Sequence, residues 1–205
     1  MRKLIVQEFV TLDGVMQAPG GPDEDRRGGF EHGGWISQNS DQIEGKFIRD
    51  SIATSGGLLL GRTTYEIFAS YWPLQRSDDE LAKMMNSLPK YVASTMLEEP
   101  LKWRNSTLLK GDLAEEVWKL KQMNGKNLIV IGSGVLVQSL MQNNLVDEYR
   151  LMVHPIVLGS GMRLFRENSP KTTLKLIDSK TTTTGVVILT YQPEKKTPER
   201  GKKES

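Results

Sequence analysis

Two short stretches of this chain combine glycine and hydroxyl groups at a spacing that suits an anion, and the second adds a cation. The first runs from Leu128 to Leu140, LIVIGSGVLVQSL: an apolar run, a Gly-Ser-Gly turn, then a helical pattern that points Leu136, Val137 and Leu140 inward. A continuous apolar run bounded by glycine suits a strand buried on both faces of a helix-covered parallel sheet. Gly132 and Gly134 leave the backbone bare where a helix begins, and the free N–H groups of a helix N-terminus favour negative charge. The plainer alternative is a tight strand-to-helix turn with no ligand. The second stretch, LLLGRTTYEIFASYW from Leu58 to Trp72, repeats the arrangement, with a helix expected from Arg62 or Thr63. Arg62 is a planar multi-donor cation matched to phosphate, and Thr63 and Thr64 set hydroxyls beside free N–H groups. Two such ends converging on one ligand would suit a molecule with several phosphates. Ser94 and Thr95, at the end of a short strand PKYVAS, fall in the same neighbourhood, because ligands of open α/β sheets gather beyond the carboxyl ends of the strands.

Other chemistries are excluded or weakened by composition. There is no cysteine, so disulfides, thiol catalysis and zinc–thiolate sites are ruled out. Two histidines, His32 and His154, are too few to argue for a metal-centred enzyme, and no metal site is expected. His32 lies in a polar segment and is taken as solvated. Lys plus Arg number 27 against 25 Asp plus Glu, and a net charge of +2 supplies no field for nucleic acid or an anionic membrane. The dinucleotide fingerprint Gly-x-Gly-x-x-Gly fails, since Val137 stands at its third glycine, and no Gly-Lys-Ser/Thr of a P-loop follows Gly132. With neither a signal peptide nor a membrane-length apolar run, a cytoplasmic protein is expected.

The elements that must position these residues alternate β and α through most of the chain, which predicts right-handed crossovers and a mostly parallel sheet. Lys3 to Leu12 is expected as a central strand ending in the Asp13-Gly14 turn. The Gly-, Pro- and charge-rich segment up to Trp35 is long enough to act as a lid. Helices are expected over residues 39–54, capped by Ser40 or Asp41, over 77–87 and over 112–123. Asp41 and Glu44 fall in the first turn of the first of these, where carboxylates favour the helix dipole without catalytic duty. After Asn144 the pattern changes: Val146 to Leu158 is a long strand interrupted at Pro155, placed at a bulge or edge. Leu174 to Ser179 and Val186 to Tyr191 flank TTTTG as a hairpin, making the C-terminal third antiparallel. One domain over residues 1–192 and a charged, disordered tail over 193–205 are expected.

Taken together, VTLDG at Val10 to Gly14, LLLGRTTYE at Leu58 to Glu66, YVAS at Tyr91 to Ser94, VIGSGVL at Val130 to Leu136 and VDEYRLMVHPIVLGSGMRLF at Val146 to Phe165 resemble the dihydrofolate-reductase-like family. The branch most similar is the stand-alone relatives of the reductase domain of the bifunctional riboflavin-biosynthesis deaminase/reductase. The resemblance implies a single-domain α/β fold, with a mixed, mostly parallel central sheet flanked by helices and an antiparallel C-terminal hairpin. It implies NADPH as cofactor, with Gly61, Arg62, Thr63 and Thr64 at its phosphates. Ser94 and Thr95 would lie near the adenosine ribose and its 2′-phosphate, and Ile131, Gly132, Ser133, Gly134, Val135 and Leu136 would cradle the pyrophosphate. Gly34-Trp35-Ile36-Ser37 corresponds to a Trp-Ile-Thr-Ser motif that borders the nicotinamide in the riboflavin branch.

Two departures bear on the substrate. The riboflavin reductases carry a substrate-binding glutamate beside the phosphate-binding glycine, where this chain has Gly132, and the deaminase domain with its zinc cysteines is missing. The folate enzymes anchor their pterin with a carboxylate on the first long helix, where alignment sets either Ile43 or Glu44. The resulting expectation is an NADPH-dependent reductase of a pterin- or pyrimidine-like heterocycle, most similar to 5-amino-6-(5-phosphoribosylamino)uracil reductase. Asp13, Trp35 and Glu44 are its candidate substrate-side residues, and no catalytic residue is assigned. Dihydrofolate reduction and non-catalytic NADP(H) binding are the alternatives. Neither nucleic acid nor membrane is an expected partner; a small-molecule heterocycle is, and relatives of this branch commonly form homodimers.

Overall fold

Apolar runs of four to eight residues become strands here because both faces of the sheet are covered by helices. The computed structural model describes residues 1–167 and 169–194. Its strands are β1 (Leu4–Thr11), β2 (Gly57–Gly61), β3 (Lys90–Ala93), β4 (Ser106–Leu109), β5 (Leu128–Ile131), β6 (Glu148–His154), β7 (Leu174–Thr181) and β8 (Val187–Pro193). They form one sheet in the order β4-β3-β2-β5-β1-β6-β8-β7. Every pairing from β4 to β6 is parallel, and β8 alone runs antiparallel to its neighbours β6 and β7. The expected mixed, mostly parallel sheet with an antiparallel C-terminal hairpin is therefore what the chain forms.

The helices are α1 (Gln42–Ala53), α2 (Arg62–Tyr71), α3 (Glu80–Ser87), α4 (Leu113–Gln122) and α5 (Gly134–Gln142). Side chains alternate across the sheet. Leu59, Leu128 and Val130 pack with Val117 and Leu120 of α4 and Val137 and Leu140 of α5, while Leu58, Leu60 and Ile129 pack on the other face with Ile52 of α1, Tyr65 of α2 and Met85 of α3. The central strands are thus apolar on both faces.

The Pro155 expectation is corrected. The strand ends at His154, and Pro155 lies just beyond it in a turn in which the Ile156 N–H donates to the His154 carbonyl. Proline has no N–H for a ladder, so the strand terminates there, and β6 is an interior strand rather than an edge. It pairs parallel to β1, so the antiparallel character of the C-terminal third begins only at β8. At the C-terminus β8 runs to Pro193, and the Glu194 N–H donates to the Thr173 carbonyl; the tail expected over 193–205 otherwise lies outside the described residues. Among the described residues no helix is long and apolar enough to cross a membrane.

Candidate functional site

Among the described residues, three α-helices begin with a side-chain cap and two do not. Asp41 caps α1 by accepting from the Ile43 and Glu44 N–H groups, Asp79 caps α3 through Ala82 N–H, and Asp112 caps α4 through Glu115 N–H. The N-termini of α2 and α5 have no side-chain cap. They sit side by side: the Gly61 N–H donates to Ser133 Oγ at 2.9 Å, and the Ser133 N–H donates to Thr64 Oγ1 at 2.8 Å. Gly132 adopts φ 65°, and a Cβ there would lie 3.1 Å from the Thr64 side chain, so the close approach of the two turns depends on that glycine.

These two helix ends open on a cavity of about 1450 Å³ at the carboxyl ends of the strands. Pockets for a single drug-sized ligand run to roughly 300–1,000 Å³, so this cavity is larger than one such ligand requires. Gly61, Arg62, Thr63, Thr64, Ser94, Thr95, Ile131, Gly132, Ser133, Gly134, Val135 and Leu136 all line it. Arg62 is about half exposed, with only a loose contact of 3.4 Å to Glu66. A second guanidinium comes from the loop after β1, where Arg27 donates to Thr63 Oγ1 at 3.2 Å and is gripped by Asp25 at 2.8 and 2.6 Å. That loop, expected as a lid, lines the cavity from Pro19 to Asp25 and is anchored by buried Ala18, Phe30 and Trp35.

Glu8 and Gln7 escaped sequence reasoning. Both line the cavity, and both are almost fully buried, 3% and 2% exposed. Glu8 Oε2 accepts the Gly132 N–H at 2.9 Å, whereas Glu8 Oε1 and Gln7 Oε1 are buried with no hydrogen-bond partner among the described residues. Burial pushes the Glu8 carboxyl well above the usual carboxylate range, with the Gly132 N–H opposing the shift. A carboxyl thus does stand beside Gly132, contributed by a different strand. The available signal was the pair Gln7-Glu8 inside an otherwise apolar strand, since one of two adjacent strand residues must face the core on each side.

Asp13, Trp35 and Glu44 do not line the cavity, and each has a structural occupation. Asp13 accepts from the Thr11 hydroxyl at 2.6 Å and from the Gly159 and Leu158 N–H groups, tying the β1 turn to the loop after β6. These contacts, the Thr11 hydroxyl foremost, hold its carboxyl down to about 2. The folded pKa is depressed, so the stabilisation is present above the unfolded value near 4 and is lost as pH falls through about 2. Asp13→Asn is expected to cost about 1–2 kcal/mol at pH 7, discounted for partial exposure, and almost nothing near pH 2. Urea titrations at the two pH values check this.

Trp35 is buried, its Nε1–H donates to the Gln17 carbonyl at 2.8 Å, and its ring meets His154 edge-on at 5.3 Å. Glu44 turns inward to His154, Oε1 to Nε2 at 2.9 Å, with the two side chains 1% and 0% exposed. Its place in the first turn of α1 is thus a core position, and Asp41 alone serves the helix end.

A parallel sheet with two uncapped helix ends converging on a cavity at its carboxyl edge, closed by an antiparallel hairpin, is a dihydrofolate-reductase-like architecture. The profile of the RibD C-terminal domain matches residues 2–188, and the chain belongs to that family of reductases. It is 31% identical over 193 residues to YyaP, an uncharacterized protein of Bacillus subtilis, covering 93% of this chain and 94% of that one. YwjB, also uncharacterized and from the same organism, is 26% identical over 182 residues, covering 87% and 91%. Among solved structures, a protein of Shewanella sp. PV-4 whose name ties it to riboflavin biosynthesis matches with TM-score 0.72 and 25% identity, over 94% of this chain and 99% of that one. A pyrimidine reductase-like protein of Corynebacterium diphtheriae shares the fold at TM-score 0.62 and 12% identity, over 95% and 92%.

Proposed function

We propose that the chain is an NADPH-dependent reductase of a pterin- or pyrimidine-like heterocycle, nearest in kind to 5-amino-6-(5-phosphoribosylamino)uracil reductase. The observation that carries this is the pair of uncapped N-termini of α2 and α5, hydrogen bonded to each other on one cavity wall with Arg62 beside them. Two adjacent helix ends and a guanidinium suit a ligand with linked phosphates. The turn fits as well, because the start of α5 that follows it has no side-chain cap and so leaves first-turn N–H groups for an anion.

In this reading Arg62, Thr63 and Thr64 hold one phosphate and the turn from Gly132 to Leu136 holds the pyrophosphate. Ser94 and Thr95 face the ribose, and Met16, Met152 and Met162 form apolar walls that exclude water. The bound nicotinamide supplies a hydride, and the protein's part is to hold substrate and cofactor against each other. The Shewanella relative's tie to riboflavin biosynthesis supports a pyrimidine-type substrate.

Calorimetric titration with NADPH is expected to give saturable binding, and Arg62→Ala to weaken it by about 1–3 kcal/mol, the worth of a hydrogen bond to a charged group. Full absence of binding by folded protein would overturn the proposal. NADPH consumption, followed by nicotinamide absorbance, should occur with the ribosylaminopyrimidine and not with dihydrofolate; binding without turnover on either would identify a sensor. The same reading carries a homodimer, with the largely exposed edge strand β7 as the pairing edge. A monomer mass over a wide concentration range would count against it.

A further inference from the structure

Glu8 has a position and an environment that phosphate binding does not call for. Glu8 lines the cavity; of its two carboxyl oxygens, Oε2 is fixed by the Gly132 N–H at 2.9 Å and Oε1 is buried without a partner among the described residues. An unpaired buried oxygen costs free energy unless something in the cavity completes it. The fixed Oε2 holds the side chain in one orientation and leaves Oε1 as its uncommitted oxygen among the described residues.

The other ionisable groups that line the cavity are differently employed. Asp23, Glu24, Asp25 and Arg27 belong to the loop. Asp25 is engaged by Arg27, and Glu24 Oε2 accepts the Gly20 and Gly21 N–H groups. Arg62 and Lys110 are cations paired loosely to Glu66 and Glu99, and Tyr71 is exposed on α2. Among the described residues the Gly132 N–H is the one hydrogen-bond partner of Glu8, and Arg166 is the cation beside the same turn, its guanidinium 3.6 Å from where a Gly134 Cβ would stand. Burial pushes the Glu8 carboxyl well above the usual carboxylate range, which favours its protonated form.

We infer that Glu8 is the general acid of this site, delivering the proton on Oε1 to the heteroatom of the substrate's C=N or C=O bond as that bond is reduced. The inference rests on the reductase reading above. The hydride, from a reduced nicotinamide, forms the new C–H bond, and the π electron pair moves onto nitrogen or oxygen. The Glu8 O–H bond breaks as an N–H or O–H bond forms there. The carboxylate left on Glu8 stays held by the Gly132 N–H and recovers a proton from solvent as product leaves, so each turnover consumes one hydride and one proton.

The test uses the full chain with Glu8→Gln, which keeps the shape and an acceptor for Gly132 but has no acidic proton, and Glu8→Asp, which keeps the acid but withdraws it. Isotope-edited infrared spectra, wild type minus Glu8→Gln, should show a protonated carboxyl at neutral pH. With NADPH and the ribosylaminopyrimidine, Glu8→Gln is expected to bind NADPH within a few-fold of wild type while kcat falls by about 10²–10⁴, the usual worth of a positioned general acid. The wild-type kcat should fall as pH rises through the Glu8 titration, and that limb should vanish in Glu8→Gln and survive in Glu8→Asp at a lower ceiling. An ionised Glu8 at neutral pH, or a Glu8→Gln enzyme with wild-type kcat and pH profile, would overturn the assignment while the reductase reading stands. A folded wild type that binds NADPH but reduces no heterocycle would overturn both.

Discussion

Replacing His154 with alanine is expected to destabilise the protein by about 3–5 kcal/mol, the cost of leaving one member of a buried polar pair without its partner. His154 and Glu44 are 0% and 1% exposed, with Phe9 and Trp35 packed around the imidazole at ring distances of 5.9 and 5.3 Å. Glu44→Ala should cost a comparable amount, because His154 Nδ1 already lacks a partner and Nε2 would then lose its own. Changing both residues to leucine should recover most of the loss, ending within about 1–2 kcal/mol of wild type, since an apolar pair of similar size carries no desolvation cost. Urea unfolding with unchanged m-values measures all three variants. The double variant also decides Glu44's role: a structural Glu44 leaves NADPH binding and heterocycle reduction intact in the folded double variant, whereas a substrate ligand would take activity with it. Equal losses in the single and double variants would refute the pair's coupling.

Gly132→Val is expected to weaken NADPH binding by about ten- to a hundred-fold, from roughly 1–3 kcal/mol of backbone strain and displacement at the turn. Two causes combine there: φ of 65° is hostile to a β-branched side chain, and the added atoms would meet Thr64, which positions Ser133. Gly159→Val separates them. Gly159 has φ 76° but nothing within 4 Å of an added Cβ, so it carries the strain without the collision and lies outside the cavity lining. The control should lose stability and keep its affinity. Calorimetry on both variants, with equal loss of affinity, would show that global strain and not the turn is responsible.

The two strand–glycine–helix units were legible because their features are local. A glycine where a strand stops and an arginine in the first helical turn can each be recognised within a few residues, whereas the uncapped start of α5 could not, because Ser133 stands at its cap position and turns its hydroxyl to the Gly61 N–H. Gly61 before Arg62 is legible in this way for α2, as Asp41, Asp79 and Asp112 are for the capped helices. The surroundings of Asp13 and Glu44 were not legible in the same way. Asp13 follows a strand and looks available, but its carboxylate is taken by backbone N–H groups about 145 residues away in sequence. Glu44 sits in a first helical turn, where an acid normally serves the dipole, yet the same stripe of α1 carries buried Ser51 and Ile52 into the core. Pro155 signalled an irregularity but not its kind; only the parallel pairing of β6 with β1 shows an interior strand that stops there.

By itself the sequence determined the alternation of strands and helices, the two strand–glycine–helix units and the absence of thiol chemistry, because each depends on residue type and spacing within a few turns of chain. The tertiary structure alone decided that β5 lies between β2 and β1. This order brings the two uncapped helix ends together and carries Glu8 to the N–H of Gly132, 124 residues along the chain. It also decided that Glu44 meets His154, 110 residues away. A buried polar group is defined by its partners and by the water removed around it, and both are properties of the packed sheet, not of any local stretch of sequence.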